Sequence, residues 1–376
     1  MANIKNNMQL HIIGGFLGSG KTTAIIGAAR YLAAQGKSVG VITNDQGRHL
    51  VDTAILRAEL LPAMEVSGGC FCCHFDDLND RLKDLISQHH PDVIFAESVG
   101  SCADVVATVV RPLLEMEVGA VKPNSYTVFA DARLLDRYLR GQEMPFSDGI
   151  NYIFGKQIEE AGLLFINKVD LVDAARLEEV VASARASYPQ KDIIAACALS
   201  ESDIVGWVEG LQAGRFPPPV RSLDIDYDVY AQGEAGLGWV DREYRLSANA
   251  ERMPTIIRSI LARWVDTIRM HQWMDGHVKV VVSSPAGSQK ISLAQSGDLV
   301  AEDELRNFPS VAIAQAEQVR VLLNMLVEDK PDHILQHMHA GILEVAEKGN
   351  AQCEVLRTFE RVPGYPKPTH RISDVI

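Results

Sequence analysis

Residues 10–22 read LHIIGGFLGSGKT, an apolar run that leads through a glycine-rich stretch into a helical pattern. The spacing G-x-x-x-x-G-K-[S/T] is satisfied by Gly15–Thr22, in the strand–loop–helix context that this pattern requires. Glycines let successive backbone N–H groups turn toward phosphate oxygens, and the following helix adds the positive end of its dipole. The stretch predicts a phosphate-binding loop in which Lys21 reaches the β- and γ-phosphates and Thr22 ligates Mg²⁺. The residues predicted to bind here are Gly15, Gly18, Ser19, Gly20, Lys21, Thr22 and Thr23.

The sequence around this loop predicts an α/β domain. Short apolar runs alternate with helical periodicity from Leu10 to about Ser200; the runs are LHIIG, VGVIT, DVIFAE, YTVFAD, LLFIN and IIAACA. Helices are expected over 21–35, 78–90 and 174–188. Buried strands that alternate with helices indicate βαβ units. We therefore expect the parallel sheet of a P-loop NTPase, with helices on both faces.

Three consecutive prolines, Pro217–Pro219, end this pattern and predict a stiff linker. Beyond them, alternation in LDIDYDVY (223–230) predicts a strand with one solvated face, and HVKVVVSS predicts another strand. Helices are expected over 254–270, near 311–326 and over 331–348. The predicted boundaries are 1–215 for the P-loop domain, 216–222 for the linker, 223–350 for a smaller α+β C-terminal domain and 351–376 for an extended tail.

Composition excludes some classes of function. The chain has 376 residues with 36 Lys+Arg against 49 Asp+Glu, a net charge of −13. This acidic balance argues against a general binder of nucleic acid or anionic membranes, because both need a basic face. No apolar stretch is long enough to span a membrane, and MANIKNNMQL lacks the apolar region of a secretory signal. A cytoplasmic location is the expectation.

The choice of base is predicted by Asn167-Lys168-Val169-Asp170, which directly follows the apolar run LLFI. The Asp170 carboxylate can accept hydrogen bonds from both N1–H and the exocyclic amine of guanine, a donor pair that adenine lacks. Asn167 would hold the loop and the base edge, and the stem of Lys168 would cover the ring. The sequence favours GTP, and an ATP-dependent kinase is the weakest alternative.

Two acidic residues are candidates for catalysis. Glu97 ends the run DVIFAE, where an acid can orient a Mg²⁺ water or the attacking water, and Gly100 can bring its N–H close to a γ-phosphate. Asp45 follows VGVIT in a candidate switch loop and can join the Mg²⁺ shell. Each acid has a structural alternative, a helix cap for Glu97 and an Asx-turn for Asp45.

Three of the six cysteines, Cys70, Cys72 and Cys73, lie within four positions beside Gly68-Gly69. Thiolates this close on a glycine-flanked loop can converge on one soft or borderline cation, which leaves a fourth position for water, His74 or another donor. Cys102 is either a fourth sulfur or a small buried residue. His333 and His337 have the i, i+4 spacing that can chelate a metal, although such a pair is more often plain surface.

The motifs GGFLGSGKTT, GGCFCC, ESVG and NKVD, in this order over residues 8–200, resemble those of the CobW-type GTPases, a metallochaperone family related to nickel-inserting GTPases. The resemblance implies slow GTP hydrolysis linked to a C-x-C-C motif that handles Zn²⁺, Co²⁺ or a similar ion, often in a homodimer. Two departures stand out. Residues 43–48, TNDQGR, lack the glutamates that many members carry in the first switch loop, and no histidine-rich run is present.

These features together predict a GTPase that binds a transition metal and hands it to a client protein. GTP and Mg²⁺ would order the loops at 44–50 and 97–102 around the γ-phosphate, and the loop at 70–73 would take its metal-binding geometry from that state. Two alternatives stay open. The client could be a corrinoid-dependent enzyme that this GTPase loads or reactivates, or the chain could be a nucleotide-gated metal sensor.

Overall fold

A computed structural model describes residues 8–45, 62–67, 70–116, 121–273, 276–295 and 298–374. They form two compact units. The first contains the described residues up to Gly233 together with residues 366–374, and the second contains Glu234–Tyr365.

The first unit is built on seven parallel strands. They are β1 (Gln9–Gly15), β2 (Val39–Asp45), β3 (Ala63–Ser67), β4 (Val93–Glu97), β5 (Pro123–Asp131), β6 (Leu163–Asn167) and β7 (Asp192–Ala195). Their order in the sheet is β3-β2-β4-β1-β5-β6-β7, and every neighbouring pair is parallel. The six apolar runs identified in the sequence are thus strands β1, β2, β4, β5, β6 and β7, as predicted.

Most helices of this unit connect strands, and the last two follow β7. The helices are α1 (Lys21–Ala34), α2 (Phe75–His89), α3 (Arg111–Glu115), α4 (Ala132–Leu139), α5 (Asp148–Glu160), α6 (Ala174–Ser187), α7 (Glu201–Gln212) and α8 (Tyr227–Ala235). A π-helical turn, Val106–Val110, continues into α3, and a 3₁₀ turn, Val169–Leu171, follows β6. The helices predicted over 21–35, 78–90 and 174–188 are confirmed as α1, α2 and α6.

Burial explains why the inner strands are apolar throughout. Every residue of β4 and β6 is buried, so both faces of the sheet are covered, as is usual for parallel sheets. On one face α1 and α7 pack against the strands through Ile25, Leu32 and Trp207. The buried Trp207 ring packs against both Phe129 and Phe165. The carboxyl ends of β1, β4 and β6 lie along one edge of this rigid core.

The second unit is an antiparallel sheet with helices. Its strands are β8 (Gly238–Ser247), β9 (His277–Ser284), β10 (Gly287–Gln295), β11 (Asp298–Leu299), β12 (Gln318–Val327) and β13 (Gln352–Arg361), in the order β11-β10-β9-β12-β8-β13. Its helices are α9 (Met253–His271), α10 (Glu302–Asn307), α11 (Val311–Ala314) and α12 (Pro331–Gly349). The long helices α9 and α12 contribute Ile260, Trp264, Met338 and Ile342 to its core, and confirm the helices predicted over 254–270 and 331–348.

Two predictions for this region are wrong. The stretch 223–230 contains no strand; instead α8 begins at Tyr227, because the Asp226 carboxylate accepts hydrogen bonds from the backbone N–H groups of Asp228 (2.9 Å) and Val229 (3.1 Å). The stretch 311–326 is the short helix α11 followed by strand β12. Pairing with β8 and β9 on both sides holds β12 extended, and alternate residues face the core.

The residues after Asn350, predicted as an extended surface segment, are divided between the two units. Strand β13 pairs antiparallel with β8 at the edge of the second sheet. Residues 366–374 follow it and belong to the first unit. In the described part of the chain, no helix combines the length and apolar character needed to cross a membrane.

Candidate functional site

The phosphate loop lies between β1 and α1. The Lys21 amine folds back over the loop and donates hydrogen bonds to the carbonyl oxygens of Gly15 (2.8 Å) and Phe16 (3.1 Å). Gly20 has a φ of 96°, and a Cβ there would collide with the Asn167 side-chain nitrogen, so only glycine fits. Gly15 and Gly18 also have positive φ values, while Thr23 is exposed on the first turn of α1.

Thr22 and Glu97 meet at the ends of α1 and β4. The Thr22 hydroxyl lies 2.9 and 3.1 Å from the two carboxylate oxygens of Glu97. Glu97 is therefore not a helix cap in this structure; its carboxylate lies beside the hydroxyl that would ligate Mg²⁺. Asp45 ends β2, but its side chain and residues 46–50 lie outside the described residues, so its predicted role stays a prediction.

The loop fits a bound triphosphate. Within the described chain, the buried hydroxyls of Ser19 in the loop and Ser98 after β4 have no hydrogen-bond partner. Buried hydroxyls of this kind are normally paired, so both have capacity for a ligand oxygen. The same edge holds the Lys21 amine and the N-terminus of α1. Together these groups form an anion-binding cradle.

The NKVD segment is held against the phosphate loop. The Asn167 side chain donates to the Ser19 carbonyl oxygen (2.7 Å) and accepts from the Ala198 backbone N–H (2.8 Å). Lys168 has a φ of 61° and pairs with the buried Asp131 carboxylate at 3.0 Å. Burial lowers the pKa of Lys168. The side chain of Asp170 is exposed. Its carboxylate is thus accessible to a ligand.

The cysteine loop lies between β3 and α2, and its three sulfurs converge. Ligand atoms of Cys70, Cys72 and Cys73 all lie within 4.8 Å of one another, a group that could hold a metal ion. The Sγ atoms of Cys70 and Cys72 are 2.7 Å apart, and those of Cys72 and Cys73 are 3.7 Å apart. The buried Cys102 thiol interacts with both Cys70 and Cys72. The structure thus brings the fourth sulfur to the cluster.

The thiols of this cluster ionise unequally. Hydrogen bonds from Cys102, Cys72 and Cys73 hold the pKa of Cys70 well below its usual range, so the first thiolate forms there. The same contacts raise the pKa of Cys72, and the interaction with Cys70 raises that of Cys73 to about 11. A cation that binds all three must displace protons from Cys72 and Cys73. Its binding weakens as the pH falls.

Two segments tie the cysteine loop to the nucleotide-binding edge. The Asn44 side chain, at the end of β2, accepts from the Phe71 backbone N–H (2.7 Å) and donates to the Val66 carbonyl oxygen (3.1 Å). The second segment is the turn from Glu97 to Cys102. Gln157 fixes it by donating to the carbonyl oxygens of Gly100 (2.9 Å) and Cys102 (2.8 Å).

Residues 366–374, which we term the tail segment, contact the same loop. The Thr369 backbone N–H donates to the Cys72 carbonyl oxygen and its hydroxyl to that of Cys73, both at 2.9 Å. The Lys367 backbone N–H lies 3.3 Å from the Cys73 sulfur. Because that N–H can donate to a thiolate, the tail segment completes the polar surroundings of Cys73.

Sequence reasoning missed three parts of this site. The sequence pattern predicts Asn44 only as part of the switch loop, although an amide at the carboxyl end of a parallel strand is a signal for a site residue. Ala198, which binds Asn167, follows β7 at that same edge. No local signal could identify Lys367 or Thr369, because they lie almost 300 residues from the cysteines in sequence.

Several known proteins are similar to this chain. Residues 9–195 match the family model described as CobW/HypB/UreG, nucleotide-binding domain. A zinc chaperone CobW from a Sinorhizobium species is 31% identical over 189 residues, 45% of this chain and 53% of that protein. The urease accessory protein UreG of Metallosphaera sedula is 30% identical over 171 residues, 42% of this chain and 70% of UreG.

Among solved structures, the Zn(II)-bound YjiA GTPase of E. coli aligns with 89% of this chain and 99% of its own, at 12% identity and a TM-score of 0.39. The sequence match spans about half the length of the Sinorhizobium relative. The family model matches part of the first unit, where the phosphate loop, the cysteine loop and NKVD are found. By this nucleotide-binding domain, the chain belongs to the CobW/HypB/UreG family.

Proposed function

We propose that this protein is a GTP-hydrolysing metallochaperone that binds a transition metal at Cys70, Cys72 and Cys73 and delivers it to a client protein. The observation that carries the proposal is the continuity of one short turn. Glu97, at the start of this turn, accepts a hydrogen bond from the Thr22 hydroxyl. Cys102, at its end, contacts the cysteine cluster. Any movement of Glu97 on nucleotide binding would therefore shift Cys102, which lies only five residues further along the chain, and with it the thiol cluster.

The residues of the first unit have defined parts in this function. Backbone N–H groups of the loop and the Lys21 amine hold the β- and γ-phosphates, and Asp170 selects guanine. Mg²⁺, held by Thr22 with Glu97 beside it, would supply charge neutralisation for phosphoryl transfer. Glu97 orients the water that enters next to the γ-phosphate. Asn44 and Gly100 transmit the position of the switch segments to the cysteine loop.

Modest coupling is enough for metal release. A tenfold change in metal affinity corresponds to about 1.4 kcal/mol of differential stabilisation between the GTP and GDP states. Ordering of a switch segment commonly supplies this amount. The cargo would be Zn²⁺ or Co²⁺, because thiolates accept both, and the zinc chaperones among the relatives favour zinc.

The test is GTP turnover titrated with Zn²⁺ and with Co²⁺, in the wild type and in C70A/C72A/C73A. We expect a metal-dependent change in rate that the triple variant loses, while its turnover without metal is retained. Substitution of Cys353, a free thiol on β13 in the second unit, by alanine is the matched control. If the wild-type rate of GTP turnover did not change with metal, the proposed coupling between the cysteine cluster and GTP hydrolysis would be overturned. That result would favour a chaperone that loads a client enzyme.

A second measurement tests the direction of delivery. The Kd for Zn²⁺ is compared with GDP and with a non-hydrolysable GTP analogue, and a tenfold difference or more is expected. Identical values in the two states would contradict nucleotide-dependent release. If Lys21→Ala, which cannot turn over GTP, restored full function in cells, the metal-sensor alternative would be supported instead.

A further inference from the structure

Three histidines converge in the second unit, far in sequence from the cysteine loop. His271 is the last residue of α9, and His333 and His337 lie one turn apart on α12. Their ligand atoms all lie within 4.8 Å of one another. The ring centroids are 4.2 Å apart for His271 and His337, 4.6 Å for His333 and His337, and 5.2 Å for His271 and His333.

The backbone that carries these rings is fixed. Helices α9 and α12 pack side by side, and the buried Trp264 indole N–H donates to the Met338 carbonyl oxygen (2.7 Å), one residue beyond His337. Gln272 ends α9 in the left-handed conformation, with φ of 59°, so the chain turns back and places Trp273 against the His271 ring at 4.5 Å. The three imidazoles are thus presented by rigid elements rather than by a loose loop.

Asp329 orients one of the rings. Its Oδ2 atom lies 2.7 Å from the Nδ1 atom of His333 and 2.8 Å from the indole nitrogen of Trp273, which donates to it. A carboxylate that binds Nδ1–H fixes the tautomer and leaves the Nε2 lone pair free to bind a metal. Histidines that ligate metals almost always have such a partner on the other ring nitrogen.

His271 supplies an independent observation. Its Nε2 atom is shielded from solvent and has no hydrogen-bond partner among the described residues. An unsatisfied, shielded ring nitrogen carries a free-energy cost unless a ligand pairs with it. His339, two residues beyond His337, is not part of the group, because its ring stacks on Tyr244 in the sheet.

We propose that His271, His333 and His337 form a second metal site, in the second unit, that binds a borderline divalent cation such as Zn²⁺. Three neutral imidazole nitrogens suit zinc, nickel or copper, and a fourth position is left for water or an exchanging donor. His333 is 41% exposed, so an ion can enter from solvent. This site goes beyond the proposed function and does not depend on the cysteine cluster.

The test is calorimetric titration of the full chain with Zn²⁺. We expect two ions per chain in the wild type, one in C70A/C72A/C73A, and none when H271Q/H333Q/H337Q is added to that background. His89→Gln is the matched control, because His89 is also the last residue of a helix and is exposed. The proposal would be overturned if C70A/C72A/C73A bound no Zn²⁺, or if the histidine substitutions left its Zn²⁺ binding unchanged.

Two further readouts separate ligation from mere folding. In the C70A/C72A/C73A background, Co²⁺ should give the visible bands of nitrogen ligation without sulfur-to-cobalt charge transfer, and H337Q should abolish them. Asp329→Asn should weaken Zn²⁺ binding about 10- to 100-fold while the stoichiometry stays at one. Unchanged cobalt spectra in H337Q, or unchanged affinity in Asp329→Asn, would contradict the site. Loss of the cysteine-bound ion alone would count against the proposed function and leave this site standing.

Discussion

Asp170 is the residue on which the predicted choice of base depends. Its carboxylate is exposed beside a loop whose shape is set by Asn167, and it has an electrostatic contact with the Cys197 thiol. A carboxylate accepts two hydrogen bonds, which matches guanine. An amide at the same position accepts one hydrogen bond and donates another, which matches xanthine, where a carbonyl replaces the exocyclic amine.

We expect Asp170→Asn to weaken GTP binding about 10- to 100-fold and to strengthen XTP binding, measured as Kd values by competition. Asp173→Asn is the control, since Asp173 caps α6 through the Arg176 N–H (2.9 Å) and asparagine caps equally well. If Asp170→Asn bound GTP as tightly as the wild type, the base would have to be recognised elsewhere.

Glu160 is a buried acid near the turn that ends at Cys102. Its carboxyl oxygens bind the Val106 N–H and the Tyr126 hydroxyl, both at 3.1 Å. Burial, followed by the charge of Asp104, raises its pKa from 4.5 to about 8. The folded protein therefore keeps a proton that the unfolded chain loses above pH 4.5. The free energy of unfolding should fall as the pH rises from about 5 to 8.

Glu160→Gln removes this titration, so its stability relative to wild type should improve with pH, by up to about 4 kcal/mol between pH 5 and 8. Urea unfolding at several pH values measures the difference. Glu159→Gln, at the exposed neighbouring position, should follow the wild type. Parallel pH profiles of Glu160→Gln and wild type would show that Glu160 is ionised in the folded state.

At the scale of elements, the turn after β4 is packed directly on the phosphate loop. A Cβ at Gly100 would lie 2.9 Å from the Leu17 backbone nitrogen and 3.0 Å from its Cα atom. Backbone cannot yield as a flexible side chain does. Gly100→Ala should therefore push the turn and the loop apart, at a cost of about 1–3 kcal/mol.

The expected results for Gly100→Ala are a lower Tm and weaker GTP binding. Gly206→Ala is the matched control, because Gly206 lies inside α7 with no atom within 4 Å of its added Cβ. It should raise stability by about 0.5–1 kcal/mol and leave GTP binding unchanged. Equal behaviour of the two variants would mean that the turn and the loop are not in close contact.

Element types were predictable where burial alone decides them. The strands of the first unit are apolar runs in the sequence because both faces of the sheet are covered. The phosphate loop is predicted by the spacing of its glycines, lysine and threonine. The helix predicted near 311–326 is wrong over β12 because the sequence QVRVLLNMLV fits an apolar helix as well as a central strand. Only pairing with β8 and β9 decides between them. The strand predicted over 223–230 is wrong because the alternation of aspartates conceals the helix start at Asp226.

The site shows the same division between local and long-range information. Lys21, Thr22, Glu97 and the three clustered cysteines are predictable because each lies in a motif of only a few consecutive residues. The contact of Cys102 with the cluster depends on how the β4 turn folds, and that of His271 with α12 depends on packing of two helices. Neither can be derived from spacing in the sequence.

At the scale of the whole molecule, the tail segment contacts the cysteine loop although the two lie almost 300 residues apart in sequence. It is anchored by Arg371, whose Nε donates to the buried Asp104 carboxylate at 2.7 Å, and by Asp374, which pairs with Arg111 at 2.7 Å. The Tyr227 hydroxyl donates to the same Asp104 oxygen at 2.6 Å. Removal of the arginine would leave a buried carboxylate without its cation.

We expect Arg371→Ala to lower stability by about 3 kcal/mol and to release the tail segment from the cysteine loop. Cys73, which the Lys367 and Thr369 contacts shield, should then be alkylated faster under native conditions, as mass spectrometry of the labelled peptide can measure. Arg81→Ala breaks the exposed ion pair with Asp84 in the same unit and should change stability by at most about 1 kcal/mol.

Thr369→Val separates the local contact from the anchor. It removes only the hydroxyl that binds the Cys73 carbonyl oxygen, so stability should change little while alkylation still accelerates, less than in Arg371→Ala. Zn²⁺ bound at the cluster should suppress labelling in every variant. If Arg371→Ala were destabilised but labelled at the wild-type rate, the tail segment would stabilise the first unit without controlling access to the cysteines.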